Sequence, residues 1–461
     1  MKSPFPIAGT FLLSFLHLQC QSVSQTPNTE GRSPSPIKLE STGTVSWSAI
    51  AGNKYYATNT NEFYVYVSLK GNESNQAAKR VPLNISLVVD RSGSMRGDKI
   101  AYAKRAANFV IDQLKDDDIL SIVNYDDRIE VTAPSEAVKN KEVLRKKVLA
   151  LFDRGSTNLT GGMLEGFEQV KSTKHDGYVN RVLLLTDGLA NVGITNPDEM
   201  KKLVEKKYNE EGIALSTFGL GADYNENLLT MLAEMGRANY YFIASADKIP
   251  EIFASELKGL LSVVAQNAMV QVDFPSGLEC VKVYGYPFET KNNSVTIRFN
   301  DIYSGDQKGI LLKFRATSPP TEQVGFNCSL KYVDANNFNT ITDHKKLVFD
   351  KNNSIDAVKE NKNMVVEEMI ALYESTEMFD DIMARVDAGD YEQARVQAEK
   401  AVDYLKVKQQ TIKSDKLKKQ QETLTVYSKD IDKVKAMKEE DKKLYQKGTK
   451  SVNYEVKKGK H

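Results

Sequence analysis

Apolar and polar side chains alternate along Thr44-Val45-Ser46-Trp47-Ser48-Ala49-Ile50 and again along Glu62-Phe63-Tyr64-Val65-Tyr66-Val67-Ser68-Leu69. A period of two, rich in Val, Tyr and Phe, predicts strands with one buried face within residues 38–80. At Val81 the pattern changes. Leu83-Asn84-Ile85-Ser86-Leu87-Val88-Val89 is almost continuously apolar, as a strand covered on both faces must be. Apolar positions then recur at Ile100, Ala103, Ala107, Val110, Ile111 and Leu114, a helical period. The same succession repeats to about Leu261, with strands at Ile119-Leu120-Ser121-Ile122-Val123, Val182-Leu183-Leu184-Leu185 and Ile213-Ala214-Leu215-Ser216-Thr217-Phe218. Between them Asn196-Pro197-Asp198-Glu199 opens a helix with a cap residue, Pro at its first position and acids in the first turn. Strands alternating with helices predict a doubly wound, mostly parallel sheet over residues 81–261.

Strand patterns return in residues 262–350, at Ala268-Met269-Val270-Gln271-Val272, Ser294-Val295-Thr296-Ile297, Gly309-Ile310-Leu311-Leu312-Lys313-Phe314 and Asn327-Cys328-Ser329-Leu330. With residues 38–80 they flank the α/β unit, which suggests one β-sandwich with the α/β domain inserted; two separate small β domains are the alternative. Residues 355–461 are predicted helical, with a turn at Ala388-Gly389-Asp390 and Asp390 capping a helix that lines up Ala394, Ala398, Ala401 and Leu405. The expected fold class is therefore α/β, inserted in a β-sandwich and followed by a C-terminal helical region.

Charge changes this picture in one place. The 461 residues carry 62 basic and 61 acidic side chains, a net +1 that speaks against a nucleic-acid footprint. From residue 401 onward, however, there are 17 Lys, no Arg and 9 acidic residues, leaving the rest of the chain acidic. This Lys-rich tail is expected to be a solvated helix, with anionic lipid or envelope polymer as its candidate contact. With 3 Cys and 4 His scattered along the chain, neither a zinc cluster nor a disulfide-dense scaffold can be built. Any metal must be held by oxygen. Cys280 and Cys328 both fall in the β region, where a disulfide and two buried thiols are equally open.

Residues 1–20 begin Met1-Lys2, run through Phe11-Leu12-Leu13-Ser14-Phe15-Leu16 and end at Cys20. A positive start and a short apolar core read as a secretory signal rather than a membrane span. Residues 21–37, rich in Ser, Thr, Pro and Gln, are expected to be a flexible linker. The leader resembles a bacterial lipoprotein signal, which would make Cys20 the lipidated first residue; Gln19 departs from the small residue preferred there, and simple signal cleavage is the alternative. The expectation is export to the periplasm or cell surface, with a membrane engaged only through a lipid anchor.

The chemistry concentrates in Asp90-Arg91-Ser92-Gly93-Ser94, at the carboxyl end of the first buried strand. In open α/β sheets that edge is where ligands bind. Asp90, Ser92 and Ser94 offer one charge and two neutral oxygens around a turn that Gly93 lets bend. Such hard donors suit Mg²⁺, with Mn²⁺ or Ca²⁺ as alternatives. Arg154-Gly155-Ser156-Thr157-Asn158 and Leu184-Leu185-Thr186-Asp187-Gly188 can reach the same edge. Asp98, in Arg96-Gly97-Asp98, is expected to cap the next helix, and Asp116-Asp117-Asp118 to form a solvated turn.

Taken together, these three segments resemble the metal-ion-dependent adhesion site of the von Willebrand factor A domain family, over roughly Val81–Leu261. The likeness extends to bacterial secreted and lipoprotein A-domain proteins and to the A-domain regions of inter-alpha-trypsin inhibitor heavy chains and calcium-activated chloride channel regulators. Phe218-Gly219-Leu220-Gly221-Ala222-Asp223 is a further matching run. The resemblance implies Asp90, Ser92 and Ser94 as first-loop ligands, Thr157 as the second-loop ligand and Asp187 as the third-loop carboxylate. It also implies a protein partner that offers a carboxylate to the bound divalent cation. The expected function is an exported, envelope-anchored binding protein acting through that ion, not an enzyme. A structural envelope protein with a merely stabilising ion is the alternative, followed by a metal-dependent hydrolase. Against hydrolysis, no His lies in the three segments to serve as general base.

Overall fold

The computed structural model describes residues 31–73, 80–175, 177–299, 301–320 and 323–459. The signal-like leader with Cys20, and the linker as far as residue 30, lie outside them.

At the centre is a six-stranded sheet in the order Arg237–Ile243, Ala214–Leu220, Val179–Thr186, Leu83–Asp90, Ile119–Tyr125, Ile129–Ala137. The first five strands are parallel and the last is an antiparallel edge. Every residue of Leu83–Asp90 is buried, which explains its unbroken apolar run. Successive side chains point to opposite faces: Leu83, Ile85, Leu87 and Val89 belong to the core shared with helices Asp98–Gln113 and Ile249–Leu261, whereas Val88 belongs to the core on the other face, shared with Leu159–Ser172. The predicted start at Asn196 is present, its side chain accepting from the backbone N–H of Asp198 and Glu199. Gly212, at φ 64°, ends that helix in the left-handed conformation a Cβ would oppose.

Strands from either side of this unit belong to one sandwich. Glu62–Gly71 pairs antiparallel with Gln307–Ala316 in a five-stranded sheet, so the chain closes its β layer only after the α/β domain is complete. The facing sheet is built on Val263–Asp273 and Val324–Asp334. Trp47, Phe63, Phe314, Phe326 and Phe349 fill the space between the two sheets. Cys280 and Cys328 lie on opposite sheets as free thiols.

Helices Met364–Asp387, Tyr391–Thr411, Asp415–Ala436 and Glu439–Lys457 form the third layer, sharing a core with Tyr66, Tyr284 and Leu311 on the outer face of the five-stranded sheet. Two expectations are corrected here. Residues from 31 onward are not a free linker: Arg32 donates its N–H to Thr411 O at 2.9 Å and accepts from Lys413 N at 3.1 Å, and Ile37 packs on the helical core. Nor is the Lys-rich tail merely solvated. Lys447 is buried and donates to Tyr224 O at 2.9 Å, and Lys458 donates to Gly285 O at 2.7 Å, so the last helix clamps the α/β domain and the sandwich together. Among the described residues no helix is long and apolar enough to cross a membrane.

Candidate metal centre

Asp90 is the last residue of the central strand, and its side chain is fully buried. Its Oδ1 accepts from Ser92 N at 2.8 Å and its Oδ2 from Thr186 Oγ1 at 2.6 Å. Burial pushes its carboxyl up to about 6, against the pull of those hydrogen bonds. Ser92 Oγ lies 3.0 Å from Ser94 Oγ, and Ser94 Oγ donates to Asp187 Oδ1 at 2.8 Å. Ser92, Thr157 and Asp187 are buried, and Ser94 is exposed at the rim.

The second loop is held by the other two. Gly93 N donates to Gly155 O at 3.0 Å and Arg154 N to Arg91 O at 2.8 Å, which joins it to the first. Gly155 needs to be glycine: its φ is 70°, and a Cβ there would lie 2.1 Å from Asp127 Oδ1. Thr157 N donates to Asn191 Oδ1 at 2.8 Å, and Asn191 N returns a bond to Thr157 O at 3.1 Å, which joins it to the third. The next residue, Asn158, caps helix Leu159–Ser172 through Gly161 N at 3.0 Å.

All five predicted donors therefore come to one place. Gly188 measures the convergence: a Cβ added there would meet Ser94 Oγ at 3.2 Å, Thr157 Oγ1 at 3.3 Å and Asp90 Oδ2 at 3.6 Å. Oxygens from the first and second loops face a backbone in the third that is bare of side chain. Two carboxylates and three hydroxyls are a hard, oxygen-only set, the chemistry expected for Mg²⁺ or a similar cation. Among the described residues no three His, Cys, Asp or Glu side chains cluster elsewhere to offer a different metal site.

Two residues of the site escaped the sequence reading. Lys99 Nζ donates to Asp187 Oδ2 at 2.6 Å and lies 3.6 Å from Asp223 Oδ2. It is a tethered cation on one of the two carboxylates. Asp126, one residue beyond strand Ile119–Tyr125, accepts at Oδ2 from Arg91 Nε at 2.8 Å and Arg154 Nε at 2.7 Å, clamping the first and second loops from behind. Its position after a neighbouring strand end was the available signal; for Lys99 there was none.

Two minor expectations fail. Asp98 sits in the first turn of helix Asp98–Gln113 behind Gly97 and makes no capping bond. Asp118 is buried, accepting from Leu83 N at 2.8 Å and pairing with Arg80, so it anchors the central strand.

Residues 84–255 match the sequence profile of the von Willebrand factor type A domain, and this part of the chain is such a domain. Domains of that family are in general protein-interaction modules. The chain is 31% identical to the uncharacterized protein YfbK of Escherichia coli over 206 residues, 44% of this chain and 36% of YfbK. It is 32% identical to inter-alpha-trypsin inhibitor heavy chain H3 of Rattus norvegicus over 162 residues, 33% of this chain and 18% of that one. It thus spans little more than a third of YfbK and less than a fifth of the heavy chain. In fold it is similar to the solved von Willebrand factor type A protein from Catenulispora acidiphila, with a TM-score of 0.71 and 14% identity, covering 90% of this chain and 97% of that one.

Proposed function

We propose that this protein binds a protein partner through a divalent cation held by Asp90, Ser92, Ser94, Thr157 and Asp187, and that it is not an enzyme. The observation that carries the reading is the convergence of three loops' oxygens over the bare backbone of Gly188. A bound Mg²⁺ would supply a positive centre that prefers six oxygens and keeps waters, one of which a partner carboxylate replaces. The residues around it set what that partner looks like. Phe152, 57% exposed, precedes the second loop, and Leu189, 55% exposed, follows Gly188, so the acidic residue would be flanked by apolar side chains. The chain's histidines, at positions 17, 175, 344 and 461, all lie outside the three loops, so none of these loops supplies an imidazole as general base for hydrolysis.

Export belongs to the same proposal, and Cys20 as a lipid anchor would hold the domain at the envelope. Contact of the Lys-rich region with anionic polymer would fall to its outward-facing lysines.

Calorimetric titration of Mg²⁺ into the whole chain tests the site. One saturable ion is expected. Loss of residues that merely support a metal's ligands costs 10–100-fold in affinity, so Asp90→Ala should cost at least about 100-fold with unchanged circular dichroism. Pull-down from envelope extract should then lose its partner in EDTA and in Asp90→Ala. Capture that is equally strong in both would overturn the ion bridge.

A further inference from the structure

A second feature lies far from the three loops, where the α/β domain, the sandwich and the last helix meet. A cavity of about 60 Å³ is lined there by Arg237, Tyr286, Arg298, Asp301, Lys308 and Lys458 among others. A single water needs only roughly 10–15 Å³ on such a measure, so several waters or one tetrahedral oxyanion fit.

The charges around the cavity do not balance in the way buried charges normally do. Lys458 is paired with Glu234 at 2.9 Å, Lys308 with Asp306 at 2.8 Å and Asp301 with Arg181 at 2.8 Å. Arg237 is held differently, its guanidinium over the Tyr208 ring at 5.8 Å from the centroid. Among the described residues it has no carboxylate within 4.0 Å; its Nη1 reaches Pro287 O only at 3.5 Å, and its Nε is buried with no hydrogen-bond partner. Arg298, on the same wall, meets Glu289 loosely at 3.6 Å and spends Nη1 on Met269 Sδ at 3.1 Å. Burial lowers the pKa of Arg237 and outweighs the opposing pull of Tyr208, Glu205 and Glu289, none of which is in ion-pair contact with it; Arg298 adds a smaller push in the same direction as burial. The backbone is also committed: Arg237 has φ 55°, and the pairing of its strand shifts register between Arg237 and Tyr240. A non-glycine residue held in that conformation marks a position the surrounding fold imposes.

A half-buried guanidinium whose Nε is enclosed and unpaired, beside a second, more exposed one and a cavity, is an arrangement that can bind planar or tetrahedral oxyanions through forked hydrogen bonds. We propose that this cavity is a site for one small inorganic oxyanion, phosphate or sulfate, gripped by Arg237 and Arg298. The ion would tie the α/β domain to the sandwich at a point where both present positive charge. This site is independent of the divalent-cation reading.

Thermal unfolding of the whole chain in a concentration series of phosphate, sulfate, acetate or chloride at matched ionic strength tests it. A ligand that binds only the folded state raises the melting temperature in a saturable way. Phosphate and sulfate should do so at millimolar concentration, where general salting-out is small; acetate and chloride should not. Arg237→Met should weaken the apparent affinity at least tenfold and Arg298→Met should weaken it as well, whereas the surface variant Arg145→Met should keep it. If Arg237→Met does not fold, Arg237→Lys serves, with an expected loss of fivefold or more because an ammonium lacks the fork. An unsaturable response to phosphate and sulfate, or an equal one in the Arg237 variants, overturns the proposal. A response to acetate equal to that to phosphate overturns the preference for inorganic oxyanions and with it this assignment.

Discussion

Strand Val179–Thr186 carries a different kind of ionic cluster at each end. Near its start, Arg181 is almost wholly buried and donates to Asp301 Oδ2 at 2.8 Å and Ser216 Oγ at 3.3 Å, with Glu256 Oε1 at 3.9 Å. Glu256 in turn accepts from Tyr241 Oη at 2.8 Å and Asn239 Nδ2 at 2.9 Å. Just past its other end, Asp187 shares a site with Asp90, and among the described residues the basic side chain paired there is Lys99, 26% exposed. Asp90 has no basic side chain within 4.0 Å among the described residues. Both clusters hold two carboxylates against one basic residue. They differ in whether that cation can leave. Arg181 is built into the core and joins the α/β domain, helix Ile249–Leu261 and the sandwich; Lys99 reaches in from solvent on a flexible stem. A fixed cation makes a lock, and a removable one leaves room for an ion.

Removing the fixed cation should have the largest effect. Arg181→Met leaves Asp301 and Glu256 buried without their charge partner, and breaking a buried pair in this way costs about 3–5 kcal/mol. Guanidinium unfolding measures it; a loss below about 1 kcal/mol would show that the cluster is no lock. Mg²⁺ affinity of the folded fraction should stay as it was.

A smaller effect should appear with pH in the absence of divalent ions. Burial raises both Asp90 and Asp301 to about 6 from an ordinary 3.8. At these two groups the folded state binds protons more tightly than the unfolded chain, so their share of the stability is fully present at low pH and is lost as pH rises through this window. Each group contributes about 3 kcal/mol between its two values. Asp90→Asn should remove its share of the slope. Millimolar Mg²⁺ should cancel the share of Asp90 but not that of Asp301; a slope unchanged by both treatments would show that Asp90 is not the titrating group.

The smallest change concerns Lys99. With its ammonium gone, a divalent cation no longer competes for Asp187, and Lys99→Met should bind Mg²⁺ about tenfold more tightly, ~1.4 kcal/mol. Titration calorimetry reads this directly. Equal affinity in both proteins would mean that Lys99 does not oppose the ion.

Much of this was readable along the chain, and the reason is local. The strand Leu83–Asp90 announces its double coverage in consecutive apolar residues, and Asp90, Ser92 and Ser94 lie within five positions of one another. Thr157 and Asp187 were placed through their family resemblance and their positions in loops at the same sheet edge. What could not be read were contacts between segments far apart. Lys99 meets Asp187 across 88 positions, and Lys447 meets Tyr224 across 223. A lysine run in isolation is most simply a wet surface. Here one of its members is buried against Tyr224, its ammonium 3.9 Å from the ring centroid, because the last helix packs there. Asp118 likewise looked like one of three solvated acids until the backbone N–H of Leu83 was found to need an acceptor.

The amino-acid sequence by itself determined the class of the central domain, the β segments on either side of it and the oxygen character of its candidate metal centre. These follow from periodicity, strand order and donor type, all of which are written in short stretches of chain. The tertiary structure decided that the flanking β segments form one sandwich, which cations face those oxygens, which lysines turn inward and that Arg237 Nε is enclosed without an acceptor. Such outcomes depend on the distance and burial of groups from different layers, and Coulomb energies change several-fold with both.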